Sequence, residues 1–72
     1  MSRGDIVFVA VDAFLILGVF ADRQDAMDAC ERDWAADSGG KPAHWSDNTD
    51  ELDLIHTAYD TCVRNIVAME IS

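Results

Sequence analysis

Acidic side chains are the residues in this chain whose number and spacing could do chemistry. The sequence holds 14 Asp and Glu against 5 Lys and Arg, which gives a formal net charge of −9. Asp25, Asp28 and Glu31 recur in steps of three residues, so on a helix their carboxylates would follow one side. Such a row can stand in for nucleic-acid phosphates and pair with Lys and Arg of another protein. The spacing therefore predicts an electrostatic binding surface.

The predicted partner-binding set extends this row along the helix and into the segment that follows it. Asp22, Asp33 and Asp37 would occupy a second side of the same helix. Like charges this close oppose folding by roughly a few tenths of a kcal/mol per pair, so either a binding role or a purely solvating role has to explain them. The full set is Asp22, Asp25, Asp28, Glu31, Asp33, Asp37, Asp47, Asp50, Glu51 and Asp53.

Cysteine and histidine side chains make a weaker case for catalysis or metal binding. Cys30, His44, His56 and Cys62 are far apart in sequence, whereas structural zinc sites use paired ligands about two to four residues apart. The acidic segment 47–53 lacks the glycine of a calcium-binding EF-hand loop, and no phosphate-binding or nucleophile motif is present. We expect no enzymatic activity, no metal and no cofactor. Both thiols are expected to be reduced and mostly buried, with a single disulfide as the alternative.

Length and composition limit the classes of protein to which this chain can belong. A chain of 72 residues fits one domain, residues 1–72, and its hydrophobic content of 50% is too high for a disordered acidic tail. The negative charge argues against direct binding to nucleic acid or to an anionic membrane, because both need Lys and Arg. The most apolar stretch, residues 6–21, is interrupted by Asp12, which argues against a membrane span or an export signal. We expect a cytoplasmic protein.

The first half of the sequence predicts a β-hairpin followed by a helix. Residues 5–11 and 14–20 are rich in the β-branched and aromatic residues that suit strands, with a tight turn between them at positions 12–13. Asp22 is predicted to cap a helix that ends at Ser38-Gly39-Gly40. The inward side of this helix would carry Met27, Cys30 and Trp34.

The second half is less clearly patterned. Residues 43–51 are interpreted as a polar connection anchored by Trp45. From Leu52 to Met69 the apolar residues step by three and four, as in an amphipathic helix, but residues 62–71 also alternate as in a strand. We favour the strand, because a two-stranded sheet would be marginal alone. The predicted fold is α+β, with an antiparallel sheet of three to four strands packed on one principal helix.

The opening IVFVAVDAFLILGVFADRQDAMDACERDW resembles short bacterial and phage families of unknown function. In those families two strands, the second ending in G-V-F, precede an Ala-rich helix and a C-terminal strand. Here these features would be Gly18-Val19-Phe20, then Ala26 and Ala29, then VRNIVAMEI. The resemblance implies a ββα(β) fold and no particular activity.

In size, acidity and lack of catalytic motifs the chain also resembles phage-encoded anti-CRISPR proteins of the DNA-mimic type. That resemblance implies an inhibitor acting in the bacterial host cell. It would bind a basic DNA- or RNA-binding complex, such as a CRISPR surveillance complex, and block its DNA site. The chain would act as a monomer. The alternative is a small protein–protein interaction module or accessory subunit whose apolar surface docks onto a partner, with no DNA mimicry.

Overall fold

The described part of the chain forms a five-stranded antiparallel sheet with one helix on it. The computed structural model describes residues 5–12, 15–48 and 51–71. The sheet order is β2-β1-β5-β4-β3, and every neighbouring pair is antiparallel. The predicted α+β class is confirmed, but the sheet has five strands rather than three to four. The elements are β1 (Asp5–Val11), β2 (Ile16–Phe20), α1 (Arg23–Ser38), β3 (Ala43–Asp47), β4 (Glu51–His56) and β5 (Thr61–Ile71).

The additional strands come from a region where the sequence interpretation was wrong. Residues 43–51 are no polar connection: β3 forms there and pairs with β4, so that Trp45 lies opposite Leu54. In β4 the buried residues are Leu52, Leu54 and His56, which alternate with period two as in a strand. The helical alternative for Leu52 to Met69 is wrong, because the structure forms β4 and β5 over this range. The favoured C-terminal strand is confirmed as β5, which pairs with both β1 and β4.

The N-terminal hairpin is confirmed: β1 ends at Val11, β2 begins at Ile16, and the two strands are paired antiparallel. The Asp12 N–H donates to the Leu15 carbonyl at 2.8 Å. The predicted turn at positions 12–13 includes residue 13, which lies outside the described residues. β2 carries one extra residue, Leu17, where the pairing register shifts between Ala10 and Val11. This bulge turns Leu17 toward the core.

The helix begins and ends where the capping residues predict. The Asp22 carboxylate accepts from the Gln24 N–H at 2.9 Å, and Gly39 closes the helix at φ 77° with its N–H on the Ala35 carbonyl. Cys30 is buried, as expected, and Met27 and Trp34 pack half-buried against the core. Ala26 was not predicted there but is fully buried. The core lies between α1 and the sheet and consists of Ala10, Ala26, Cys30, Leu52, Leu54 and Ile66.

Only one face of the sheet carries the helix in the described part of the chain. The pairing register places Val19, Val9 and Val67 in one row across the opposite face, which we call the open face. Its half over β2, β1 and β5 bears no charged side chain among the residues whose side chains the structure describes. Its half over β4 and β3 is polar. The apolar half consists of Val7, Val9, Val11, Ile16, Val19, Val67 and Met69.

Among the described residues, no helix has the length and apolarity that crossing a membrane requires. The one helix in that part of the chain, α1, has 16 residues and a largely polar outer side.

We expect Gly39→Ala to lower the free energy of unfolding by about 1 kcal/mol, because its left-handed φ disfavours a Cβ. Gly39→Asn is the matched control and should lose less, since Asn tolerates this conformation better. Urea unfolding followed by circular dichroism measures both changes. Equal losses for Ala and Asn would contradict the proposed conformational cause.

Candidate binding surface

Five of the predicted carboxylates form one surface on the helix side of the molecule. Asp25 and Asp28 project from the exposed outer side of α1, and Asp22 caps its N-terminus. Asp25 and Asp28 are three residues apart and so neighbour each other on the helix surface, and the Gln24 amide donates to Asp28 at 3.0 Å. We call this group the outer acidic surface: Asp22, Asp25, Asp28, Glu31 and Asp47.

Two contacts fasten this surface to the sheet. The Trp45 indole N–H donates to a Glu31 carboxylate oxygen at 2.8 Å, joining β3 to the middle of α1. The Arg23 guanidinium pairs with Asp47 at 3.2 Å, joining the first turn of α1 to the end of β3. Both members of that ion pair are exposed, so it adds little stability. Its effect is to hold Asp47 beside the helix N-terminus and to add a positive charge there.

Asp33 and Asp37 turn inward and bind a buried arginine. The Arg64 side chain is only 4% exposed. Its Nε donates to Asp33 at 2.9 Å, and its Nη2 lies 2.7 Å from Asp33 and 3.4 Å from Asp37. Nη1 lies 3.5 Å from Asp12 on β1, and the guanidinium sits 5.7 Å from the centre of the Trp34 ring. Asp33 and Asp37 are therefore structural partners of Arg64.

These contacts favour the charged form of the Arg64 guanidinium. Burial acts to lower the pKa of its guanidinium, but the hydrogen bonds that it donates to Asp33 and Asp37 and the nearby charge of Asp12 outweigh burial and raise that pKa. Arg64 is thus a permanent cation. The role of Arg64 is not evident from sequence, because an arginine in a strand of alternating polar and apolar residues is usually exposed.

The remaining predicted carboxylates lie elsewhere. On the open face, the Asn65 amide donates to Asp53 at 2.6 Å and to Glu51 at 3.1 Å. Asn48 donates to the other Asp53 oxygen at 2.7 Å. These groups form a hydrogen-bonded polar cluster on the opposite side of the sheet from α1. Asp50 lies outside the described residues.

The cysteines and histidines lie apart from one another. Both thiols are free; Cys30 is buried as expected, but Cys62 is exposed, contrary to the prediction. His56 faces α1, whereas Cys62 pairs with Ile55 on the open face, so the two cannot act together. Within the described residues, no three Cys, His, Asp or Glu side chains are arranged to hold a metal ion.

His56 has a packing role that its sequence position did not indicate. It is 5% exposed and lies between two aromatic rings, edge-on to Trp34 at 5.2 Å and stacked on Tyr59 at 4.9 Å. Its Nδ1 is buried with no hydrogen-bond partner within the described part of the structure. This ring closes the end of the core below the C-terminus of α1.

The thiol environments are unsuited to nucleophilic chemistry. Burial, followed by the charges of Asp33 and Glu31, raises the pKa of Cys30 to about 11, although Arg64 works in the opposite direction. Burial and the neighbouring Asp53 also raise the pKa of Cys62. Both sulfurs therefore stay protonated near neutral pH, where a nucleophile would need the thiolate.

Comparisons with protein-family models, curated proteins and solved structures found no match to this chain.

We expect Arg64→Met to lower the free energy of unfolding by about 2–4 kcal/mol, because it leaves three converging carboxylates without their cation. The control Arg32→Met removes the same charge from the exposed side of α1 and should change stability little. Urea unfolding of both variants provides the comparison. Equal stability of the two would show that the buried ion-pair cluster contributes nothing.

At about pH 8, iodoacetamide should alkylate Cys62 and leave Cys30 unmodified in the folded protein, because Cys30 is both buried and protonated. Labelling of Cys30 should appear only once denaturant unfolds the protein, because this side chain is fully buried in the folded state. Mass spectrometry of the labelled peptides measures both sites, with Cys62→Ala as the control. Rapid labelling of Cys30 in that folded variant would contradict this assignment.

Proposed function

We propose that this protein is a non-enzymatic inhibitor that binds a basic nucleic-acid-binding complex through its outer acidic surface. It would act in the manner of a DNA-mimic anti-CRISPR protein, with a CRISPR surveillance complex as the kind of target. The observation that carries the proposal is the outward row of Asp25 and Asp28, continued by Glu31 and Asp47. These carboxylates are exposed while their backbone is fixed by α1 and β3.

Charge and rigidity support this assignment. The five carboxylates of the outer acidic surface, set against Arg23 and Arg32, leave it a net charge of −3. Neighbouring carboxylates on one side of a helix lie about 5–6 Å apart at Cβ, and side-chain freedom widens that toward the spacing of phosphates along a strand. Because the helix already holds them, binding would cost little additional ordering.

The proposed mechanism is competition. The outer acidic surface would pair with Lys and Arg in the DNA channel of the target and so occupy the site that DNA phosphates need. Electrostatic attraction between a chain of net charge −9 and a basic channel would speed association, and salt would weaken it. The narrower site excludes Asp33 and Asp37, which bind Arg64, and Glu51 and Asp53, which lie on the open face.

A second candidate function has a specific observation in its favour. The apolar half of the open face leaves Ile16, Val19 and Met69 more than half exposed, at 68%, 60% and 53%. Uncovered apolar side chains grouped in one patch are typical of protein–protein contacts. The alternative is therefore an interaction module that docks through this face, with the acidic groups serving only as a solvated surface.

The test is capture of partners by the tagged full chain from lysate of its native host. We expect a basic nucleic-acid-binding complex to be retained at about 0.05 M NaCl and released as salt rises toward about 0.5 M. Asp25→Asn combined with Asp28→Asn should reduce capture at least about tenfold, because two paired charges are lost. Quantitative mass spectrometry of the eluates measures the difference.

The matched control neutralises two exposed acidic residues elsewhere, Asp60→Asn with Glu70→Gln. Asp60 has φ 54°, a conformation that Asn also tolerates, so the fold should be unchanged. This control has the same net charge as the helix variant and should capture as wild type does. Equal loss of capture in both variants would show that the net charge of the chain, and not the outer acidic surface, determines binding. Capture of a neutral partner that resists salt would favour the alternative function.

A further inference from the structure

The apolar half of the open face carries no charged group among the side chains that the structure describes, although the chain is strongly acidic. Val19, Val9 and Val67 form a cross-strand row through its centre, and Val7 pairs with Met69 beside it. β-Branched side chains on a sheet give a smooth surface of the kind that packs against another sheet. No described element covers this face.

We propose that a second copy of this chain covers this face, giving a symmetric dimer with the two sheets packed face to face. A two-fold axis running across the strands would place each apolar half on its counterpart, so that the Val9 row meets the same row of the other copy. Such a contact is self-complementary, as a two-fold interface has to be. The proposal is independent of the proposed function and replaces the monomer expected from sequence.

Most of the acidic groups would lie far from the interface of this dimer, although each chain has a net charge of −9. Glu51 and Asp53 differ, because they lie on the polar half of the open face and would approach the same residues of the other copy, which weakens the dimer at low salt. The outer acidic surface and the Arg64 cluster lie on the helix side, so in this dimer both would face outward. With layers about 10 Å apart, the two helices would be separated by roughly 30 Å, several times the Debye length of about 8 Å at physiological salt. Repulsion between the helices would therefore be largely screened.

The area of the patch sets the strength of the dimer. From the exposed fractions of its side chains, two copies would bury roughly 1,000 Å² in total, near the lower limit for a specific interface. The dimer should therefore be weak and depend on concentration. Added salt should preserve or strengthen it, because salt screens the repulsion but not the apolar contact. Binding through the outer acidic surface has the opposite salt dependence, so failure of one proposal is distinguishable from failure of the other.

Sedimentation equilibrium of the full chain tests the proposal. We expect the mass to rise from 7.9 kDa toward about twice that value between about 1 and 500 µM protein, at both low and high salt. A mass that stays monomeric at the highest concentration would overturn the proposal. In that event the covering partner of this face would have to be another protein.

Two variants identify the surface that associates. Val19→Lys and Met69→Lys each place a charge on the apolar half, on different strands, at side chains already more than half exposed. Each should weaken dimerisation at least about tenfold, while the control Ala35→Lys, on the exposed side of α1, should not. Circular dichroism checks that each variant folds. Loss of dimerisation with Val19→Lys alone would indicate that two copies pair along the β2 edge, which would overturn the face-to-face contact. Unchanged dimerisation in both variants would also overturn the proposed interface.

Discussion

The position of one buried cation constrains most of this structure. Arg64 extends from β5 beneath the helix and binds Asp12 on β1 and Asp33 and Asp37 on α1. A buried guanidinium without carboxylate partners would cost several kcal/mol, so the helix is held in the register that delivers these two acids. The same contact divides the acidic residues of α1 into two groups with different surroundings. Those facing Arg64 stabilise the fold, and those on the opposite side of α1 remain available to a partner.

In the described part of the chain, one helix covers one face of a five-stranded sheet, and this arrangement determines which surfaces are exposed. It leaves the molecule with two unlike surfaces, an outer acidic surface on the helix side and a largely apolar half of the open face. Added salt would weaken binding through the acidic surface but not binding through the apolar one, because salt screens charge pairing and leaves apolar contact intact. The two proposals therefore use opposite sides of the molecule, and neither requires residues of the small core.

The sequence was sufficient to predict elements with strong local signals. The hairpin, the Asp22 cap, the Gly39 stop and the burial of Cys30 follow from capping chemistry and periodicity, and the structure contains all of them. The β3–β4 pair was missed because β3 has only five residues, of which Ala43 and Trp45 alone are apolar, and because Leu52 and Ile55 also fit the spacing of a helix. The roles of the acidic residues could not be separated for a different reason. Only the tertiary contact with Arg64 distinguishes Asp33 from its exposed neighbours.

The central claim is that the outer acidic surface occupies the place of DNA on a basic partner. Its most direct measurement is a competition experiment, in which this protein is titrated into the captured partner bound to fluorescent DNA and the DNA's anisotropy is followed. The account predicts that DNA is released as the protein binds, and that the Asp25→Asn, Asp28→Asn variant requires a much higher concentration. A stable ternary complex of partner, DNA and this protein would contradict it.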